Sequence, residues 1–227
     1  MAQHSTVGQY GHQGHDEPSL FSRLFVGLFR LIFPVTAYCV TLAAAWELQA
    51  VPALWFDGLV AGVQPSIWLT QGHILVPAAF LLNNLVNRRY GLDTALWHVV
   101  VSWAVLGVFV AASMARLDPR LPEIVLPPML MVSAFVGALI VAHAIAAFFF
   151  DRTRGTDWWT APLYASLIGG VVFVGIYYSI VQPGGEGVWL NRMIIDAGVK
   201  VAMAFVLLIP YFLLRPIVRP LPGFGGF

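Results

Sequence analysis

Residues 191–215 read NRMIIDAGVKVAMAFVLLIPYFLLR, an almost wholly apolar run that nevertheless holds Asp196 and Lys200, the only lysine in the chain. A bilayer core of about 30 Å is crossed by roughly 20 apolar residues in a helix, so this run predicts a spanning helix. An ionisable group placed in hydrocarbon costs about 2.5–3.5 kcal/mol on insertion scales and therefore asks for a partner or a wet cavity. Asp196 and Lys200 lie one helical turn apart with the acid on the N-terminal side, the better order for an i,i+4 pair. They are expected to neutralise each other. A lysine this close to the outer end could also snorkel outward with no further role. The other eleven basic residues, however, are all arginines, and the choice of lysine at this one place points to a role for an ammonium.

Outward from this run, the rest of the chain has the same character. Hydrophobic residues make up 59% of the 227 and charged residues 10%, with a mean hydropathy of +0.80, against the roughly 25% charged residues of soluble domains. An all-α, polytopic membrane protein is expected. Six apolar stretches are long enough to cross, at about 25–47, 66–87, 94–115, 124–149, 161–181 and 193–214. The separators NRRYGLD, RLDPRLPE, DRTRGTDWW and QPGGEG carry the Gly, Pro and charge of loops. The segment 49–65 is too short and interrupted to cross, and reads as a loop with an interfacial helix, Trp55 and Phe56 at headgroup level.

With both termini on the cytoplasmic side, eight arginines (23, 30, 88, 89, 152, 154, 215 and 219) face inward and three (116, 120 and 192) outward, as the positive-inside rule requires. Residues 1–18 form a polar tail expected to be disordered, residues 19–220 a six-helix transmembrane domain, and 221–227 a short C-terminal tail. His4, His12 and His15 in the first tail lack a closed ligand set, so no metal site is expected. The net charge of +1 offers no basic patch for nucleic acid, and the single Cys39 excludes an intramolecular disulfide. There is no phosphate-cradling loop, nucleophile elbow or HExxH motif, so no enzyme is expected.

The second stretch carries the densest polar set: Gln71, His73, Asn83, Asn84 and Asn87. Amides in lipid must find partners, either as glue between helices or by recognising a planar polar ligand, because a carboxamide offers a donor beside an acceptor. Pro77 removes a backbone N–H and leaves a carbonyl free to face a cavity, the kind of broken helix at which transporters bind substrate. His73, His98 and His143 invite a haem reading, but no second pair accompanies them, satisfied polar histidines are the simpler expectation, and no cofactor is implied. Gly169, Gly170 and Gly175 are expected to allow close helix approach.

The motifs VPAAFLLNNLVNRRYG, DRTRGTDWWTAPLYASLIGG, IIDAGVKV and LIPYFLL, in this order, resemble those of the bacterial queuosine precursor transporters, also called the VUT family of vitamin uptake transporters. The resemblance implies a six-helix fold related to the substrate-binding components of energy-coupling-factor transporters. It also implies residence in the bacterial inner membrane and import of deazaguanine precursors of a tRNA base without a dedicated ATPase. Carried across, Pro77, Asp196, Lys200 and Pro210 match family positions, and Lys200 becomes a residue of the substrate cavity lined by the second, fifth and sixth helices. Family members usually have an aspartate where this chain has Asn84, and a second acid at about Phe173. The loss of both fits a changed substrate. It also fits a relative that has become a non-transporting structural or assembly subunit of a larger membrane complex.

Overall fold

The computed structural model describes residues 20–59, 62–115, 129–185 and 187–222. The tail histidines, Arg116, Arg120 and most of the C-terminal tail lie outside the described residues. The chain there is helical: α1 (Leu20–Glu47), α2 (Gln71–Leu75), α3 (Pro77–Ala115), α4 (Met129–Arg152), α5 (Thr160–Val181), α6 (Val188–Val206) and α7 (Leu208–Leu214). Among the described residues the only β-pairing is an isolated bridge between Pro52 and Thr70. Five helical stretches are long and apolar enough to cross a membrane.

One of these, Gln71–Ala112, has 42 residues, about twice what one crossing needs. It is not one rod. Gly91 inside α3 has φ 82 and ψ 176, a conformation that strains any residue with a Cβ. Phe80 and His98 stand eighteen positions apart, which is about 27 Å along a straight helix. Yet Phe80 stacks on the His143 ring at 4.3 Å and His98 meets Tyr38, itself 5.4 Å from His143. Val86 and Ala95 also share one buried cluster with Ala147. The two arms, 77–90 and 92–115, therefore lie side by side, and the expected loop around Tyr90–Gly91 has shrunk to a single non-helical residue.

The loop expected at 49–65 is held by short 3-10 turns at Leu48–Ala50, Leu54–Phe56 and Pro65–Ile67. Asp57 closes it by accepting from the Ser66 backbone N–H at 3.0 Å and from the Ser66 hydroxyl. Close packing of α5 depends on its glycines. A Cβ on Gly169 would stand 2.6 Å from Phe80 and 2.9 Å from Ala146, and one on Gly170 would stand 3.0 Å from the Lys200 Cβ. These two positions let α3, α4 and α6 close on α5, whereas a Cβ on Gly175 would meet nothing within 4 Å, so that expected close approach is not made.

The arginine-bearing segments converge on one end of the bundle. Arg88 Nε donates to the Val218 carbonyl at 3.2 Å, Arg89 to the Arg219 carbonyl at 3.4 Å, and Arg154 to the Asn87 carbonyl at 2.6 Å. Half-burial pushes the Arg154 guanidinium below its ordinary value, and Asp151 at 3.1 Å works the other way. Arg192 lies at the opposite end, against Trp68 and Gly184. Arg88, Arg89, Arg154 and Arg219 thus gather at one end of the described bundle.

Candidate functional site

The lone lysine is almost completely enclosed, with Lys200 2% and Asp196 1% exposed, so the snorkelling alternative does not describe it. The ammonium donates to Asp196 Oδ1 at 2.8 Å and to the His73 carbonyl at 2.7 Å, and lies 5.9 Å over the Phe173 ring. The second partner has a covalent cause. Residue 77 is proline, so the carbonyl four residues earlier, that of His73, receives no helical N–H. Pro77 creates the vacancy and Lys200 fills it. Sequence spacing gave the Asp196 contact, whereas the meeting of α6 with the α2–α3 break is a tertiary fact. Phe173, where the family resemblance placed a missing acid, faces the ammonium.

His73 is fixed in turn. Its Nδ1 accepts from the Thr70 backbone N–H at 3.2 Å, and Thr70 Oγ1 lies 2.9 Å from both His73 Nδ1 and Gln49 Oε1. This closes the start of α2 as a capping box, with histidine in the place usually taken by Glu or Gln. Gln71 sits in the same turn with its backbone N–H on the Val51 carbonyl at 2.9 Å. Gln71, His73, Asp196 and Lys200 thus lie around the α2–α6 contact.

The three asparagines form a second group. Asn83 Nδ2 donates to the His143 carbonyl at 3.1 Å and Asn87 Nδ2 to the Ala147 carbonyl at 2.8 Å, one turn apart on α4. Asn87 Oδ1 also accepts from Arg154 at 2.7 Å. Asn87 has both ends of its carboxamide engaged and acts as glue between helices. The Oδ1 atoms of Asn83 and Asn84 are each buried without a partner, and Asn84 Nδ2 donates to the Ser166 hydroxyl at 2.9 Å and the Pro162 carbonyl at 3.2 Å. Asn84 lines a narrow cleft, too tight to admit even a water-sized molecule, with Leu81, Pro162, Ser166, Ala204 and Tyr211. The walls come from α3, α5, α6 and α7, and of the site residues expected from the sequence Asn84 lines the cleft, whereas Gln71, His73, Asn83, Asn87, Asp196 and Lys200 do not. Ligand pockets run to roughly 300–1,000 Å³, so the cleft is closed in this arrangement.

A third group went unread in the sequence as a unit: Tyr38, His98, Trp103 and His143, from α1, α3 and α4. Tyr38 meets the two imidazoles edge to face at 5.5 and 5.4 Å. Each histidine was visible, but periodicity offered no signal that Tyr38 would join them.

A family model described as "Putative vitamin uptake transporter" matches residues 70–214, from the cap of α2 to the end of α7. No curated protein and no solved structure matches the chain.

Proposed function

Because the chain belongs to the family described as "Putative vitamin uptake transporter", and so to the multi-pass membrane proteins, we propose that it imports a small planar polar molecule, with queuosine precursors of the deazaguanine type as the leading substrate. The observation that carries this reading is Asn84. In the cleft between α3, α5, α6 and α7 it holds a buried, unpartnered carboxamide oxygen beside the Ser166 hydroxyl. An acceptor of that kind takes the amino or ring N–H of a planar base, the task of the carboxylate that the family resemblance places there. When the helices part to widen the cleft, Asn83 and Asn84 read the ligand edge. Lys200, held by Asp196, then offers its ammonium to a ring nitrogen or carbonyl oxygen. Gln71 and His73, beside Lys200 at the α2–α6 contact, would complete the binding residues, with Asn87 securing the arm that carries the asparagine pair.

In this reading the two arms of α3 supply two crossings, giving six in all with both termini cytoplasmic in a bacterial inner membrane. The architecture is then that of the substrate-binding components of energy-coupling-factor transporters. The arginine end of the bundle supports this orientation through the positive-inside rule.

The test is uptake of a labelled deazaguanine base by proteoliposomes. Lys200→Met combined with Asp196→Leu, which removes the ammonium without stranding a charge, is expected to abolish uptake while the protein still purifies, and Asn84→Asp to raise it. Normal uptake by the lysine variant would sink the mechanism. Recovery from native membranes in fixed ratio with a larger complex, together with no uptake, would favour the scaffold reading instead.

A further inference from the structure

We propose that His98, His143 and Tyr38 form a proton-binding site at mid-membrane depth, through which substrate import is coupled to inward proton movement. This inference rests on the transport reading above. His98 and His143 are both completely buried. Each places Nδ1 2.7 Å from a backbone carbonyl of its own helix, Ala95 and Leu139 respectively. A carbonyl can only accept, so Nδ1 carries the hydrogen and Nε2 keeps a lone pair. Neither Nε2 has a hydrogen-bond partner. The Ala79 carbonyl also lies beside the His143 ring, and Trp103 beside the Tyr38 hydroxyl. Two imidazoles thus share the Tyr38 ring, and that of His98 is fixed in one tautomer with its basic Nε2 open. His143 stands nine residues from the end of α4, about 13 Å deep in a core of about 30 Å.

The titratable groups facing this cluster are few. On α1 they are the Tyr38 hydroxyl and, beside it, the Cys39 thiol, which donates to the Ser102 carbonyl at 3.6 Å. On α5, Tyr177 approaches only through Phe135, which touches Trp103. Among the described residues neither imidazole forms an ion pair; the carboxylates Asp151 and Asp196 pair with Arg154 and Lys200. An imidazolium in hydrocarbon without a countercharge is costly, so the packing seen here holds the neutral rings. The proton binds when the helices part and water reaches Nε2, and a ligand that binds one arrangement better shifts the population toward it. Taken up from the outer side and released to the inner, the proton returns the cluster to its neutral form.

The link to the cleft is physical. Phe80 lies flat on the His143 ring, 3° from parallel, and Asn83 is bonded to the His143 carbonyl. Phe80 also closes against Gly169 of α5, and Asn84 of the next turn lines the cleft. A change at His143 therefore displaces the turn that carries the ligand-reading amides.

The experiment uses the full chain in liposomes with a trapped pH-sensitive dye, a labelled deazaguanine base, and an imposed gradient, acid outside. With one proton per substrate, a gradient of about one pH unit supports about tenfold accumulation. The dye is expected to report interior acidification on substrate addition, and a protonophore to abolish accumulation. His98→Gln is expected to keep substrate exchange without a gradient yet lose accumulation, a split that a merely structural role would not produce. Uptake by the unaltered chain that ignores the gradient and leaves the dye unchanged would overturn the proposal while leaving transport standing. Absence of uptake under every condition would remove the transport reading, and with it the coupling. If His98→Gln fails to fold, the gradient and dye responses of the unaltered chain decide alone.

Discussion

The Lys200 cluster and the His98–His143 cluster are equally buried and oppositely finished. Around Lys200 the charge has a carboxylate at 2.8 Å and a carbonyl at 2.7 Å. Around the histidines and Tyr38, Nε2 of both rings, the phenol oxygen and the Trp103 N–H are left without partners. The physical reason is one of magnitude. An unpaired charge in a low-dielectric interior costs several kcal/mol, whereas an unpaired neutral polar atom costs about 1–3 kcal/mol. The ion must therefore be complete when the helices close, while the neutral groups can remain open to something that arrives later.

The strongest way to break this contrast is Asp196→Ala, which strands the ammonium. It is expected to cost about 3–5 kcal/mol, read as a lower melting temperature and poor monodisperse yield in detergent. The double replacement Asp196→Leu with Lys200→Met should recover most of that loss, since a buried pair exchanged for packed apolar side chains is often neutral. Unchanged melting of Asp196→Ala would mean that water reaches Lys200.

Next comes Gly169→Ala, whose methyl would collide with Phe80 and Ala146. Overpacking of this kind costs about 1–3 kcal/mol. Because Phe80 is the plate between His143 and α5, the same variant should disturb the histidine cluster before the lysine cluster. Cross-linking between cysteines placed on α4 and α5 would report the separation.

Pro77→Ala restores a backbone N–H that competes with Lys200 for the His73 carbonyl. Exchange of one hydrogen-bond donor for another should change stability by only about 1 kcal/mol. The side chain of the sole lysine should nevertheless become more reactive toward an amine-modifying reagent, as mass spectrometry of the Lys200 peptide would reveal. No gain in reactivity would mean that the carbonyl contact follows from packing and not from the proline.

The smallest effect is expected of Tyr38→Phe. Removing a buried hydroxyl that has no partner should leave stability within about 1 kcal/mol, with a tendency to gain. A large loss would show that the hydroxyl is engaged after all, and the contrast between the clusters would narrow.

Much of this was legible in the chain itself. Long apolar runs without charge have no stable place in water, so the membrane class and the helical fold follow from composition. The i,i+4 spacing of Asp196 and Lys200 fixed their pairing, because it is local to one helix. Proline chemistry fixed that a carbonyl would be freed before residue 77, and Gly169–Gly170 marked the close approach. Tertiary structure alone decided which group took the freed carbonyl, how the arms of α3 fold about Gly91, that Asn87 is committed to α4 while Asn84 keeps an open oxygen, and that Tyr38 gathers two histidines. Each of these contacts joins residues far apart in sequence. Such meetings depend on how whole helices pack against one another, and no local periodicity encodes that.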